Sequence, residues 1–474
     1  MPLPYSLDLA RLAAAYADGA LTPGAVVRDV YSAIASGSAN PIWIHLIPRE
    51  TVTARAHALE ARRAAGAELP LYGMPFAVKD NIDVAGHPTT AACPAYSYVA
   101  RETAHAVRRL EEAGALLIGK TNLDQFATGL TGTRSPYGAC FNPFNRDYIA
   151  GGSSSGSALA VATGVVSFAL GTDTAGSGRV PASFTNTVGL KPTRGLVSAH
   201  GVVPACRSLD CMSIFALTCE DASRVLESTR GFDPADPYAR PAAREGAVLH
   251  SRFRCGVPGP QQLDFFGDGA AQGAFERARG TLAETGADLV EVDFEPFAAA
   301  GRLLYDGPWV AERYAGLREF LGNHADALML VTREIILGAR RWSAVEAFEA
   351  QYRLKALERR CAEQWARMDV LAVPSTATIY TLDEIAAAPI ERNSILGYYT
   401  NFVNLLDLAA IAVPGGFRPD GLPAGITLIA PAHQDALLAG VGARFHRAAD
   451  VPLGATAFRM PPPLAEARRE AGAR

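Results

Sequence analysis

The chain of 474 residues is 49% hydrophobic and 19% charged, which supplies apolar surface for a sizeable core and excludes a disordered scaffold. Its formal net charge of −4 leaves no basic stripe for a phosphate backbone, so nucleic acid is excluded as a direct ligand. No charged segment precedes an apolar run at the start, and the longest low-charge stretch, residues 150–178, is crowded with Gly, Ser and Thr, so export and membrane association are not expected and the location read is cytoplasmic.

Residues 6–66 read as helices: Ser6-Leu-Asp-Leu-Ala10 offers a capped start, and residues 49–66 are rich in Ala, Arg and Glu at helical spacing. From Leu71 onward, short apolar runs closed by Gly, Pro, Asn and Asp read as strands, notably Gly73-Met-Pro-Phe-Ala-Val-Lys79 and Ala115-Leu-Leu-Ile-Gly119. A helical segment over 103–114 lies between them, so the class is α/β. Residues 132–157 are too rich in Gly, Ser, Pro and Asn for regular structure and end in Gly151-Gly-Ser-Ser-Ser-Gly-Ser157. A helix is expected over 158–164 and a buried strand over 165–171, feeding a second loop, Thr172-Asp-Thr-Ala-Gly-Ser-Gly178. Two Ser/Gly loops framing one helix and one strand can bring two hydroxyls together.

Residues 266–365 read as a helical excursion, and residues 370–430 return to strands such as Val370-Leu-Ala-Val-Pro374 and Gly425-Ile-Thr-Leu-Ile429. The expected organisation is a helical segment, residues 1–66, packed on a domain of residues 67–460, with residues 461–474 as a frayed tail.

Seven scattered cysteines never spaced C-x-x-C, and nine histidines without H-E-x-x-H or H-x-x-x-H, indicate neither a disulfide framework nor a metal site. Gly114-Ala-Leu-Leu-Ile-Gly-Lys-Thr121 matches the phosphate-loop pattern letter for letter. Leu116, Leu117 and Ile118 belong in a buried strand rather than in a loop of converging amides, so this reading is rejected. Gly152-Ser-Ser-Ser-Gly156 matches the nucleophile elbow around Ser154, but no buried strand leads into it. The third reading joins Lys79, Ser153 and Ser177. A serine hydroxyl needs a base, and a lysine closing the apolar run Met74-Pro-Phe-Ala-Val78 becomes one when burial penalises its ammonium form.

These motifs resemble the amidase signature family, in which a Gly-Gly-Ser-Ser-Gly-Gly-Ser-like loop precedes Gly-Thr-Asp-x-x-Gly-Ser, met here by residues 151–157 and 171–177. The resemblance extends to Pro75-Phe-Ala-Val-Lys-Asp80, Gly119-Lys-Thr-Asn-Leu-Asp-Gln-Phe-Ala127, Gly189-Leu-Lys-Pro-Thr193 and Pro423-Ala-Gly-Ile-Thr427. It implies the amidase signature fold, a central mixed β-sheet covered by helices on both faces. It also implies a Ser-cis-Ser-Lys triad with Ser177 as nucleophile, Ser153 bridging after a cis Gly152–Ser153 bond, and Lys79 as base. Small residues where a carbonyl must approach make the N–H groups of Thr174, Ala175, Gly176 and Ser177 the candidate oxyanion hole.

Within the family, Lys79-Asp-Asn-Ile-Asp-Val-Ala-Gly-His-Pro-Thr-Thr90, Ser208-Leu-Asp-Cys-Met-Ser213, Leu304-Tyr-Asp-Gly-Pro-Trp-Val-Ala-Glu-Arg313 and Tyr398-Tyr-Thr-Asn-Phe-Val-Asn404 resemble the allophanate hydrolase branch. That likeness implies cleavage of the terminal carbamoyl C–N bond of allophanate, a small anionic amide, with Tyr305 and Arg313 binding the substrate and Gly129 lending backbone groups. A carboxylate wants a fixed guanidinium. Pro308 suits the first turn of a helix capped by Asp306 or Gly307, with Tyr305 just before it and Arg313 in its second turn.

The resemblance further implies no cofactor, a homodimer, and a functional link to a urea carboxylase or a cyanuric acid/biuret pathway enzyme. Allophanate hydrolases commonly carry a further C-terminal domain, and this chain stops near the end of the amidase region, cut short or naturally short. The alternatives are a glutamine amidase component of a transamidating complex, whose pocket needs a carboxylate facing Arg313 for the α-ammonium, and a general small-amide amidase. A silent binding protein on the same fold is disfavoured because Lys79, Ser153 and Ser177 are all present.

Overall fold

The computed structural model describes residues 2–37, 39–241 and 250–461; the tail expected to fray lies, from residue 462, outside the described residues. In chain order the strands are β1 Trp43–Leu46, β2 Pro75–Lys79, β3 Pro88–Thr89, β4 Tyr98–Val99, β5 Leu116–Thr121, β6 Phe168–Asp173, β7 Val188–Lys191, β8 Cys211–Ala216, β9 Phe253–Pro258, β10 Ala287–Val292, β11 Val370–Pro374, β12 Leu408–Phe417 and β13 Pro423–Pro431. All but β3 and β4 form one 11-stranded sheet in the order β1-β5-β2-β6-β8-β7-β12-β13-β11-β9-β10.

The sheet is mixed. β2 runs parallel to both β5 and β6, and β9 to both β10 and β11, while β6–β8, β7–β8, β7–β12, β12–β13 and β11–β13 are antiparallel. Alternation along a strand sends successive side chains to opposite faces. Val370 and Ala372 therefore join one core with helices Ser155–Ala162, Cys219–Thr229, Gly269–Glu284 and Asp435–Ala449, whereas Leu371 and Val373 join another with helices Glu295–Asp306, Ala344–Trp365 and Phe402–Leu405. Helices thus cover both faces, as expected.

The sequence reading needs correction at both flanks of this sheet. Residues 6–66 hold the expected helices Leu9–Ala17, Pro23–Ala35 and Arg49–Ala64, but also β1, which pairs antiparallel with β5. A strand of four half-buried residues has no run long enough to signal itself. The excursion over 266–365 likewise contains β10, an edge strand hydrogen-bonded to β9. No helix among the described residues is long and apolar enough to cross a membrane.

Candidate active site

Three neighbouring parallel strands, β5, β2 and β6, end on the same side of the sheet, with Lys79 opposite Thr121 in β5. Open sheets place their ligand crevice at the carboxyl ends of such strands. Lys79 is the last residue of β2, and the two Ser/Gly loops fold over that end.

Lys79 Nζ lies 2.8 Å from Ser153 Oγ and 2.7 Å from Thr172 Oγ1, and the Oγ atoms of Ser153 and Ser177 are 2.9 Å apart. The three expected triad residues are thereby brought into one hydrogen-bonded chain, and all are buried. Burial pushes the Lys79 pKa down to about 7, against the opposing pull of the Asp124, Asp210 and Asp173 carboxylates. Near neutrality the amine is thus available as a proton acceptor. The Gly152–Ser153 bond is cis, as the resemblance implied.

Close packing explains the glycines of the first loop. A Cβ on Gly152 would stand 2.2 Å from Asp124 Oδ2 and 2.6 Å from the amide nitrogen of Gly132. Asp124 itself accepts from the N–H groups of Thr131, Gly132 and Arg134, so the 130–134 turn and the Ser153 loop are built around one carboxylate. Ser154, the rejected elbow nucleophile, is consumed structurally, donating to Thr172 O at 3.1 Å.

The second loop presents Ser177. Asp173 forms a buried two-point ion pair with Arg179, at 2.8 and 2.9 Å, and also accepts from Gly176 N–H at 2.8 Å and Gly178 N–H at 3.1 Å. Gly176 N–H, expected in the oxyanion hole, is therefore already engaged. The N–H groups of Thr174, Ala175 and Ser177 remain without an acceptor among the described residues.

Tyr305 and Arg313 depart from the expected single helix with Tyr305 just before it: each belongs to a helix of its own. Tyr305 belongs to the last turn of the helix Glu295–Asp306, and Arg313 to the first turn of Val310–His324. Gly307 is extended (φ −127°, ψ −176°), the conformation favoured before proline, and Pro308 cannot continue the first helix because it lacks an N–H. The break folds the two helices so that Arg313 Nη2 approaches Tyr305 Oη at 3.4 Å.

Arg313 is buried, and its Nη1 donates to Ala127 O at 3.2 Å and Thr128 Oγ1 at 3.1 Å, next to Gly129. A Cβ on Gly129 would lie 2.6 Å from Asp124 Oδ2, so this position too requires glycine. No carboxylate lies within ion-pairing distance of Arg313 among the described residues. Burial disfavours its charge, yet the surrounding Tyr305, Cys206 and Asp210 side chains hold its pKa above the ordinary value. Asp210, the acid in electrostatic reach, spends its oxygens on Thr174 Oγ1 (2.6 Å), Ala205 N–H (2.8 Å) and Cys206 N–H (3.1 Å).

Sequence reasoning missed Thr172, Asp124, Thr128 and Asp210. Thr172, Asp124 and Asp210 lie inside motifs named above, but no spacing distinguishes a side chain that supports a site from one that fills a turn. All seven cysteines are unpaired and buried, and no cluster of metal-ligating side chains occurs among the described residues.

Comparison with known proteins agrees with this geometry. The family model described as amidase matches residues 25–439. A urea amidolyase of Saccharomyces cerevisiae is 45% identical over 427 residues, 89% of this chain and 23% of that protein. The glutamyl-tRNA(Gln) amidotransferase of Symbiobacterium thermophilum is, in its A subunit, 37% identical over 467 residues, 90% of this chain and 94% of the relative. The solved allophanate hydrolase of Kluyveromyces lactis aligns with a TM-score of 0.89 at 41% identity, covering 97% of this chain and 76% of that one. The chain thus spans 23% of the length of the urea amidolyases it matches.

Proposed function

Because the chain belongs to the amidase family, we propose that it hydrolyses the terminal carbamoyl C–N bond of allophanate, with Ser177 as nucleophile, Ser153 as bridge and Lys79 as base. The observation that carries this reading is Arg313, a buried guanidinium without an ion-pair partner among the described residues. A buried cation lacking a carboxylate is costly unless an anionic ligand completes it, and allophanate brings a carboxylate. The likeness to allophanate hydrolase and urea amidolyase supports the same substrate.

In this mechanism Ser177 Oγ attacks the carbamoyl carbon while its proton passes to Ser153 Oγ and the Ser153 proton to Lys79 Nζ. The developing oxyanion is received by the N–H groups of Thr174, Ala175 and Ser177. The lysine proton returns through Ser153 to the leaving nitrogen, ammonia departs, and water, activated by the same relay, frees the acyl group from Ser177. The product, N-carboxycarbamate, then loses carbon dioxide. Tyr305, Arg313 and the Gly129 backbone are the proposed substrate contacts. No step calls for a cofactor.

A glutamine amidase reading is favoured by the likeness to the glutamyl-tRNA(Gln) amidotransferase, but its pocket needs an acid for the α-ammonium, and Asp210 is occupied as described. We also propose a homodimer, a cytoplasmic location supported by the unpaired cysteines, residues 67–460 as the amidase domain with residues 1–66 packed on it, and a functional link to a urea carboxylase. The last is supported by urea amidolyases roughly four times the matched length.

The test is ammonia release from allophanate, glutamine, biuret and an aliphatic amide by the wild type and Ser177→Ala. Turnover of allophanate alone, abolished in Ser177→Ala, is expected. Turnover of glutamine or aliphatic amides with allophanate ignored would overturn the substrate, and activity surviving in Ser177→Ala would overturn the mechanism.

A further inference from the structure

The segment Tyr398-Tyr-Thr-Asn-Phe-Val-Asn404 takes no part in the relay just described, yet two of its side chains reach the loop that bears Ser177. Thr400 and Asn404 are both fully buried. Asn404 Nδ2 donates to Asp173 O at 2.7 Å and to Leu209 O at 2.9 Å, and Thr400 Oγ1 donates to Ala175 O at 2.6 Å. Arg179 ties this pair to the loop from below, donating to Thr400 O at 3.2 Å and to Asn404 Oδ1 at 3.4 Å while it pairs with Asp173. The fit is close: a Cβ on Gly176 would stand 2.4 Å from Thr400 Oγ1.

A trans peptide is planar, with its C=O and N–H opposed. Holding Asp173 O against Asn404 therefore turns the N–H of Thr174 to the other side of the loop. Holding Ala175 O against Thr400 fixes the Ala175–Gly176 peptide, whose N–H is anchored on Asp173 Oδ1. The unengaged N–H groups of Ala175 and Ser177 flank that fixed plane on either side. Gly176 O is bound in turn by the N–H groups of Arg179 (2.9 Å) and Val180 (2.8 Å), which orients the Ser177 N–H. The carbonyls of Asp173, Ala175 and Gly176 are thus all satisfied, leaving the amides of Thr174, Ala175 and Ser177 for the reaction.

We propose that Thr400 and Asn404 are positioning residues that preset the oxyanion hole of Ser177 by holding the loop carbonyls of Asp173 and Ala175. Donors aimed before charge develops need no reorganisation in the transition state, so their alignment appears in kcat rather than in substrate affinity. The inference rests on Ser177 being the nucleophile and not on which amide it attacks.

The experiment compares wild type, Thr400→Val, Thr400→Ser and Asn404→Asp in two assays. One is steady-state ammonia release from allophanate. The other is the rate of phosphonylation of Ser177 by a fluorophosphonate, in which the Oγ–P bond forms, the P–F bond breaks, fluoride leaves and the serine proton passes to Lys79 through Ser153. This second reaction sets a phosphonyl oxygen in the same hole without an amide substrate.

Thr400→Val is expected to lower kcat and the phosphonylation rate roughly tenfold to hundredfold with KM within about threefold, Asn404→Asp to do likewise, and Thr400→Ser to retain both rates. Wild-type rates in Thr400→Val, a raised KM with kcat preserved, or an equal loss in Thr400→Ser overturns the proposal. If Thr400→Val fails to fold, Asn404→Asp decides by the same criteria. A wild type that is phosphonylated but ignores allophanate overturns the substrate reading alone, and the phosphonylation rates then judge the clamp. A wild type inert in both assays overturns the nucleophile and this proposal with it.

Discussion

At the scale of single residues the proposed chemistry turns on two buried cations kept in opposite states. Lys79 is surrounded by hydroxyls and pushed down to about 7, whereas Arg313 stays charged because a guanidinium does not deprotonate in the working range. In the proposed mechanism the neutral Lys79 amine is the base, so kcat/KM is expected to rise with pH up to about 7 and level off above it, read from a pH profile of ammonia release. Arg313→Gln is expected to cut kcat/KM for allophanate by roughly 100-fold or more, while phosphonylation of Ser177 by a fluorophosphonate changes far less. A comparison of the two rates checks it. The residues of the proposed relay were legible because their types and order sit in dense motifs that resemble the family's. The engagement of Gly176 was not, because a hydrogen bond from an amide to the side chain three residues back depends on loop dihedrals that small residues leave open.

Elements act by bringing chain ends together. β2 delivers Lys79, β6 delivers Thr172 and Asp173, and β5 between β1 and β2 carries Gly119 and Lys120 of the false phosphate-loop match. Lys120 is buried in an ion pair with Asp80 at 3.0 Å, and its Nζ also donates to Pro88 O and Thr89 Oγ1. It is a strand-locking cation, as the apolar run before it required. Lys120→Met leaves the Asp80 carboxylate buried without its partner, so a loss of about 3–5 kcal/mol is expected in urea unfolding. In the Ser153 loop, Gly152→Ala forces a methyl against Asp124 and the Gly132 amide, and activity is expected to fall below a tenth of wild type with a lowered melting temperature. Thermal unfolding and ammonia release on the same preparation check both effects.

Across the whole molecule, the N-terminal segment packs on the rest of the chain through a shared core. Leu9, Leu12, Val26 and Val30 share a cluster with Phe76 and Leu170, and Leu9 N–H donates to Asp221 Oδ1 on the helix Cys219–Thr229. Asp221 is buried, its Oδ2 has no hydrogen-bond partner, and desolvation, reinforced by nearby Asp8, raises its pKa to about 8. A carboxyl whose folded pKa is raised is stabilising while protonated, so its contribution is complete below the unfolded value near 4 and is lost as pH climbs to about 8. Asp221→Asn is expected to flatten that decline and to exceed wild type by roughly 1–3 kcal/mol at pH 8.5. Urea midpoints at pH 5 and pH 8.5 decide it.

What the sequence determined by itself was the class of the fold and the setting of the proposed relay, because each depends on residue types in a local order: apolar runs closed by glycine, paired Ser/Gly loops holding Ser153 and Ser177, Lys79 at a strand end; Arg313 was marked only by the resemblance to the family. What only the tertiary structure decided was how distant segments meet. The strands β1 and β10 became visible only through their partners β5 and β9, since edge strands with half-buried faces have no strong pattern of their own. The break at Pro308, the supports from Asp124 and Asp210, and the hold of Thr400 and Asn404 on a loop more than two hundred residues away in the chain follow from packing. Peptide orientation and the pKa of a buried amine are set by everything that surrounds them, and no window of sequence contains those surroundings.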